Sequence, residues 1–345
     1  MLTIAGRLRF LAPLVFGLIL TVIGVRTYLQ VQPRISAGTN DGQPTIVYIR
    51  PKTSVQEIAQ ILREAGVIHN PWAFLAVAYL QGSLTRLQAG EYEFAPGMSV
   101  LQILRRLETG RVLTHQITIP EGFTALDIAQ LLGGEHLADD DRFMELVKDA
   151  KFAESLGLPF ASLEGYLFPD TYRFSRGMSE EDIIRIMVSR FREVLPADLE
   201  AQAERQNLDT HGVITLASLI EKEAKLDRER PLVSAVFYNR LRRNMPLQSD
   251  PTAIYGTADS RRRVTALDLQ RRTPYNTYLK AGLPPGPIAN PGLASILAAL
   301  NPARVDFLYF VAKNDGSHFF SQTLDQHVQA VRMYQMKGKG SDGPS

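Results

Sequence analysis

The chain has no cysteine, which excludes disulfide frameworks, thiolate metal sites and cysteine nucleophiles. Its six histidines (His69, His115, His136, His211, His318 and His327) show no HExxH or other ligand spacing, so no metal centre is expected. G-x-S-x-G, the phosphate-binding P-loop and G-x-G-x-x-G are all missing. That removes the usual serine hydrolases and most cofactor enzymes, and no cofactor is expected. Charge of one sign is missing as well: 38 Lys and Arg face 36 Asp and Glu, with a pI near 8.7. That balance is too mild to imply nucleic acid as a partner. What the chain does have is 345 residues at 45% hydrophobic content, enough to bury at least one large core. Basic residues cluster at positions 261–263 and at Arg271 and Arg272. Such runs are solvated faces or meet an anionic partner.

One apolar run stands out. Residues 10–25, "FLAPLVFGLILTVIGV", carry no charge, follow Arg7 and Arg9, and precede Arg26. A membrane-spanning helix needs about 20 residues, somewhat fewer where flanking arginines snorkel. The pattern predicts an uncleaved signal-anchor over residues 10–31, with residues 1–9 as a short cytoplasmic end. The bulk of the chain then lies on the periplasmic side of the cell (inner) membrane, held by a single pass. A cleaved signal peptide is the competing reading, but the first small-x-small stretch, Ile35, Ser36 and Ala37, comes about ten residues too late. Residues 32–44, "PRISAGTNDGQPT", read as a linker, and residues 337–345 as a disordered tail.

Between these ends a weak repeat appears. Ser54, Ser99, Thr124 and Ser179 each stand four residues before an isoleucine, and each has Glu57, Gln102, Asp127 or Asp182 at the third position after it. This is the capping-box pattern of a helix start. The first two copies bracket a unit over residues 45–112. Its strands would be "TIVYI" and "GEYEF", with one helix at 54–65 and another capped by Asn70. The order strand–helix–helix–strand resembles LysM modules, which bind N-acetylglucosamine-containing chains; a packing domain without glycan contact is the alternative. Residues 113–336 mix helices and strands without regular alternation. The fold class expected is α+β: a single N-terminal membrane helix, a small LysM-like module and a larger mixed catalytic domain.

The stretch "TLASLIEKEAKL" at 215–226 places two carboxylates within an apolar helix. At 100° per residue, Glu221 falls between Ile214 and Ala217, and Glu223 between Leu216 and Leu219, while Thr215, Ser218 and Lys222 take the wet side. A buried carboxylate must be paired, or its pKa rises. Each glutamate therefore has two readings: an ion pair with Arg228, Arg230 or Arg240, or a protonated general acid lining a cleft. Downstream, "MPLQSDPTAIYG" carries Asp250 as a candidate helix cap. "TPYNTYLKAGLPPGPIANPG" brings two tyrosines and amide side chains together, as a sugar-binding cleft does.

Five motifs then stand in series: "LEGYLFPDTY" (163–172), "ASLIEKEA" (217–224), "FYNRL" with "LQSDPT", "YNTY" with "GLPPGPIANPG", and "LYFVAKNDGSHFF" (308–320). Together they closely resemble the endolytic murein transglycosylase family, also called MltG or YceG-like. The resemblance implies a lyase that cleaves peptidoglycan glycan strands internally, between N-acetylmuramic acid and N-acetylglucosamine, without water. It implies Glu221 as the catalytic residue, with Glu223 structural or supporting and Gln248, Asp250, Tyr275 and Asn276 as substrate-binding candidates. It also implies glycan strands and penicillin-binding protein synthases as partners. Two other readings remain open: a membrane-tethered glycan-binding scaffold without activity, and a hydrolytic muramidase using a second carboxylate such as Glu223 or Asp250.

Overall fold

The computed structural model describes residues 43–257 and 262–336, together with Gly17, Thr21, Val22 and Gly24. The expected anchor (apart from those four residues), the short N-terminal end, most of the linker, the tail and Arg261 lie outside the described residues. Among the described residues no helix is long and apolar enough to cross a membrane. The chain divides into two compact units, Met1–His115 with Arg173–Met178, and Gln116–Tyr172 with Ser179–Ser345.

In the first unit β1 (Thr45–Ile49), α1 (Val55–Glu64), α2 (Pro71–Leu80), β2 (Gly90–Phe94) and α3 (Val100–Glu108) follow the expected order. β1 and β2 pair antiparallel, Thr45 opposite Phe94 and Ile49 opposite Gly90. Their alternation sends Val47, Ile49, Tyr92 and Phe94 inward, onto Ile58, Leu62, Phe74, Ile103 and Leu107 of the helices. The Tyr92 hydroxyl donates to the Gln88 carbonyl at 2.8 Å, and burial pushes this phenol up to about 12. The helix starts are capped as their sequences require. Asn70 Oδ1 accepts from the Trp72 and Ala73 amides, and Ser99 with Gln102 forms a reciprocal capping box.

The second unit is mostly helical. It contains α4 (Ala125–Gly134), α5 (Asp140–Val147), α6 (Ala150–Ser155), α7 (Glu180–Val194), α8 (Leu199–Arg205), α9 (Thr210–Glu223), α10 (Arg230–Arg242), α11 (Asp250–Ile254), α12 (Ala266–Leu269), α13 (Leu293–Leu300) and α14 (Leu324–Val331). β3 (His115–Thr118) pairs with β4 (Thr171–Phe174), strands of which Gln116–Thr118 and Thr171–Tyr172 belong to this unit, and β5 (Tyr309–Ala312) pairs with β6 (His318–Ser321). The class is α+β, carried among the described residues by three two-stranded sheets. Of the other three expected capping boxes in the repeat, Thr124 with Asp127 is reciprocal, whereas Ser179 and Ser54 accept from the Asp182 and Glu57 amides without the return bond to the cap amide.

α9 departs from its expected wet side. Every residue from Val213 to Ile220 is buried, including Thr215 at 1% and Ser218 at 0% exposure. α13 packs along it, and the proline-rich segment 286–292 covers the hydroxyl side. The Ser218 hydroxyl donates to the Thr215 carbonyl at 2.7 Å and accepts from the Ile288 amide at 3.1 Å. Ser218→Ala strands that amide in the core, so a loss of about 1–3 kcal/mol is expected in denaturant unfolding. An unchanged midpoint would show that the Ile288 amide finds another partner.

Candidate active site

The last turn of α9 carries both glutamates, and their surroundings differ. Glu221 Oε2 accepts from the Gly292 amide at 3.0 Å and pairs with Arg230 at 3.0 Å. Glu221 Oε1 has no protein partner among the described residues. Arg230, at the start of α10, also donates to Ser295 and, through Nε, to Asp227 at 3.0 Å. Of the three arginines open to Glu221 in the sequence, Arg230 is thus the one used. Arg228 is exposed, and Arg240 is turned to the carbonyls of Leu308, Leu247 and Pro246.

A further carboxylate joins this pair from the turn after β3. Glu121 Oε2 lies 3.7 Å from Arg230, and its carboxyl rests against Gly292, where a Cβ would fall 1.9 Å from Oε1. Burial, and next the Glu221 charge, push the Glu121 carboxyl above its usual range, while Arg230 pulls it down. Gly122 follows with φ of +75°, its α-carbon close enough to Glu221 that a Cβ would touch Cγ at 3.4 Å. Lys222 Nζ donates to the Gly122 carbonyl at 3.2 Å and holds this turn over the helix end. No sequence pattern singled out Glu121; its signal was an acidic residue in the "PEG" turn at a strand end.

Glu223 faces a different set of groups. Its Oε1 accepts from the Ser249 hydroxyl at 2.6 Å. Burial pushes it up to about 7; the Asp250 charge adds to this, and the Ser249 bond and Arg240 oppose it. Ser249 occupies the N-cap position of α11 but makes no side-chain cap there, because its hydroxyl is turned to Glu223. Asp250 is the first residue of α11, not its cap as expected, and its exposed carboxylate accepts from the Tyr278 hydroxyl. Gln248 is exposed with φ of +51°, its Oε1 3.3 Å from Arg240.

The profile of the YceG-like family matches residues 47–333. The chain belongs to the YceG-like family. An endolytic murein transglycosylase of Bacillus subtilis is 36% identical over 311 residues, which cover 85% of this chain and 86% of that one. The endolytic murein transglycosylase of Streptococcus pneumoniae strain D39 is 32% identical over 326 residues; there the match covers 85% of this chain and 58% of the longer relative. A crystal structure of a YceG-like protein from Listeria monocytogenes superposes with a TM-score of 0.59 at 34% identity, covering 83% of this chain and 98% of that one.

Two tyrosines and an asparagine complete the neighbourhood of this YceG-like site. Tyr275 packs against Tyr255 with ring centroids 4.6 Å apart, and the Tyr255 hydroxyl donates to Glu164 Oε2 at 3.1 Å. Glu164 Oε1 accepts from the Ala125 amide at 2.9 Å and from Asn290 at 3.0 Å, and burial pushes this carboxyl up to about 7. Asn290 in turn exchanges backbone bonds with the 122–123 turn beside Glu221. Glu164 belongs to the "LEGYLFPDTY" motif, and the structure makes it a buried brace of that turn. Asn276 needs correcting. It is fully buried, and its amide donates to the carbonyls of Asp268, Leu269 and Arg271. It pins its own loop and offers no surface to a glycan.

A carboxyl raised by burial is favoured neutral in the folded state, so its contribution is complete below the unfolded value of 4.5 and is lost as pH rises through about 7. Glu223→Gln removes that loss while keeping an acceptor for Ser249. The fall in stability between pH 5 and pH 8 should then shrink by about 3 kcal/mol, read by denaturant unfolding at both pH values. Glu164 sustains the remainder, and equal slopes in the two proteins would show that Glu223 ionises freely.

Proposed function

We propose that the chain is a lytic transglycosylase that cleaves peptidoglycan strands internally between N-acetylmuramic acid and N-acetylglucosamine. Glu221 serves as acid and then as base. The observation that carries this reading is the division of labour within one carboxylate: Oε2 is anchored by Gly292 and Arg230, and Oε1 is left to face a substrate. Family membership and relatives named endolytic murein transglycosylases support it.

In this reaction Glu221, protonated on Oε1, gives its proton to the glycosidic oxygen as the bond to C1 breaks. As carboxylate it then takes the proton of the muramic acid C6 hydroxyl while that oxygen closes onto C1. The products are a free hydroxyl on the leaving sugar and a 1,6-anhydro end, and no water is consumed. Arg230 offsets the negative charge present on Glu221 between the two transfers. Gln248, Asp250 and Tyr275 are the exposed or half-exposed groups that would meet the glycan. The uncharged run at 10–25, with Arg7, Arg9 and Arg26 beside it, supports a membrane anchor over residues 10–31 that holds the enzyme beside nascent strands and their synthases.

One observation favours a second reading, a hydrolytic muramidase. Glu121 places a second carboxylate on the same arginine, and hydrolysis needs two. Mass spectrometry of products from uncrosslinked strands separates the two reactions. Fragments ending in 1,6-anhydromuramic acid are expected; products one water heavier would establish hydrolysis. Glu221→Gln should lower either activity by about 10²–10⁴ while the protein stays folded, and near-normal lysis by that variant would refute the assignment.

Gly292→Ala offers a finer probe. The new methyl displaces only the end of the Glu121 side chain, so stability should hold. Anhydro products formed at an unchanged rate would show that Glu121 takes no part in the reaction.

A further inference from the structure

The helix α2, "PWAFLAVAYL", has no charged or amide side chain in ten residues. Phe74, Val77 and Ala78 fill the core of the first unit. Four positions are exposed among the described residues: Trp72 is 79% exposed, Tyr79 72% and Leu80 62%, with Ala76 between them. Positions 72, 76, 79 and 80 recur at helical spacing and share one face. A helix apolar on all sides is stable when all sides are covered, and an exposed apolar patch marks an interaction surface.

We propose that this face of α2 docks into the interfacial zone of a lipid bilayer, an inference that rests on the anchor reading of residues 10–31. The side chains fit that surface. Indole and phenol rings belong at the headgroup level, and Leu80 reaches the acyl boundary. Apart from the indole N–H and the phenol hydroxyl, the face offers no polar group to engage the hydroxyls of a sugar. Distance fits too. Thirteen residues, 32–44, separate the end of the anchor reading at residue 31 from β1, a span of at most about 45 Å. A tether of this length keeps the local concentration of bilayer near the millimolar range, so a small patch suffices. Charge also fits. Residues 45–115 carry seven Lys and Arg against five Glu and no Asp. Arg105, Arg106 and Arg111 line one pocket and make no ion pair among the described residues, which suits an anionic leaflet.

Trp72 is the one tryptophan of the chain, so its fluorescence reports this face alone. The full chain is reconstituted in vesicles of phosphatidylcholine and phosphatidylglycerol, with or without bromine at a shallow acyl carbon. Docking predicts blue-shifted emission and loss of about half or more of the signal in the brominated vesicles. Tyr79→Ser with Leu80→Ser, both exposed, should restore most of it. Trp72 unquenched by bromine but open to aqueous acrylamide overturns the proposal. Shielding from both quenchers also overturns it and points to a protein cover, whether a second copy or residues 10–31. Shielding that appears only with added glycan strands overturns it in favour of a sugar platform. Alkaline carbonate extraction reads the anchor separately: a chain retained in the vesicles with unquenched Trp72 fails on docking alone, and a released chain fails on the anchor alone.

Discussion

Burial of α9 on all sides is the constraint on which the second unit is built. Polar side chains on a helix that passes through a core call for partners, because an unpaired buried donor or acceptor costs about 1–3 kcal/mol; on α9 the Thr215 hydroxyl has none among the described residues, and the others are met. The partners come from segments far away in sequence. Ser218 is met by the Ile288 amide, Lys222 by the Gly122 carbonyl, Glu221 by Gly292 and Arg230, and Glu223 by Ser249. Each of these bonds brings one loop to the helix end. The site is the place where those loops meet.

Two glutamates separated by one lysine receive different chemistry from this arrangement. Glu221 meets a guanidinium and a backbone amide through one oxygen, which fixes its orientation. Glu223 meets a neutral hydroxyl and a neighbouring carboxylate, and is pushed up by burial. The environment, not the residue type, sets the two carboxylates apart. Glu164 stands behind both. Its bonds to Ala125, Asn290 and Tyr255 tie the Tyr255–Tyr275 pair to the turn that carries Glu121 and Gly122. Rigid support of this kind is what general acid–base chemistry requires, since a misplaced proton donor loses most of its effect.

Much of the local structure was legible in advance because its causes are local. Capping residues marked the starts of α1, α3, α4 and α7, Asn70 marked that of α2, and alternation marked β1 and β2. Where distant segments compete for the same group, local logic failed. Asp250 read as a helix cap, yet Ser249 holds the N-cap position, its hydroxyl serves Glu223, and Asp250 serves Tyr278. Thr215 and Ser218 read as wet from their place on the helix wheel, yet both are buried, and the Ile288 amide of the proline-rich segment donates to Ser218. Asn276 read as a glycan contact because it sits between tyrosines, yet three carbonyls of its own loop consume its amide. Glu121 was invisible because nothing within ten residues of it foretells an arginine more than a hundred positions away.

The sequence by itself determined the element order of the first unit, the α+β class, the presence of two carboxylates at the end of an apolar helix, and the serial motifs that point to the YceG-like family. These follow from periodicity, capping and motif order, which neighbours along the chain specify. Tertiary structure alone decided which arginine pairs with Glu221, that Glu121 shares it, that Glu164 braces the turn above, and that one face of α2 is left uncovered by the described residues. Those outcomes depend on which distant groups meet under the requirement that buried polar atoms be paired, and spacing along the chain carries no record of that meeting.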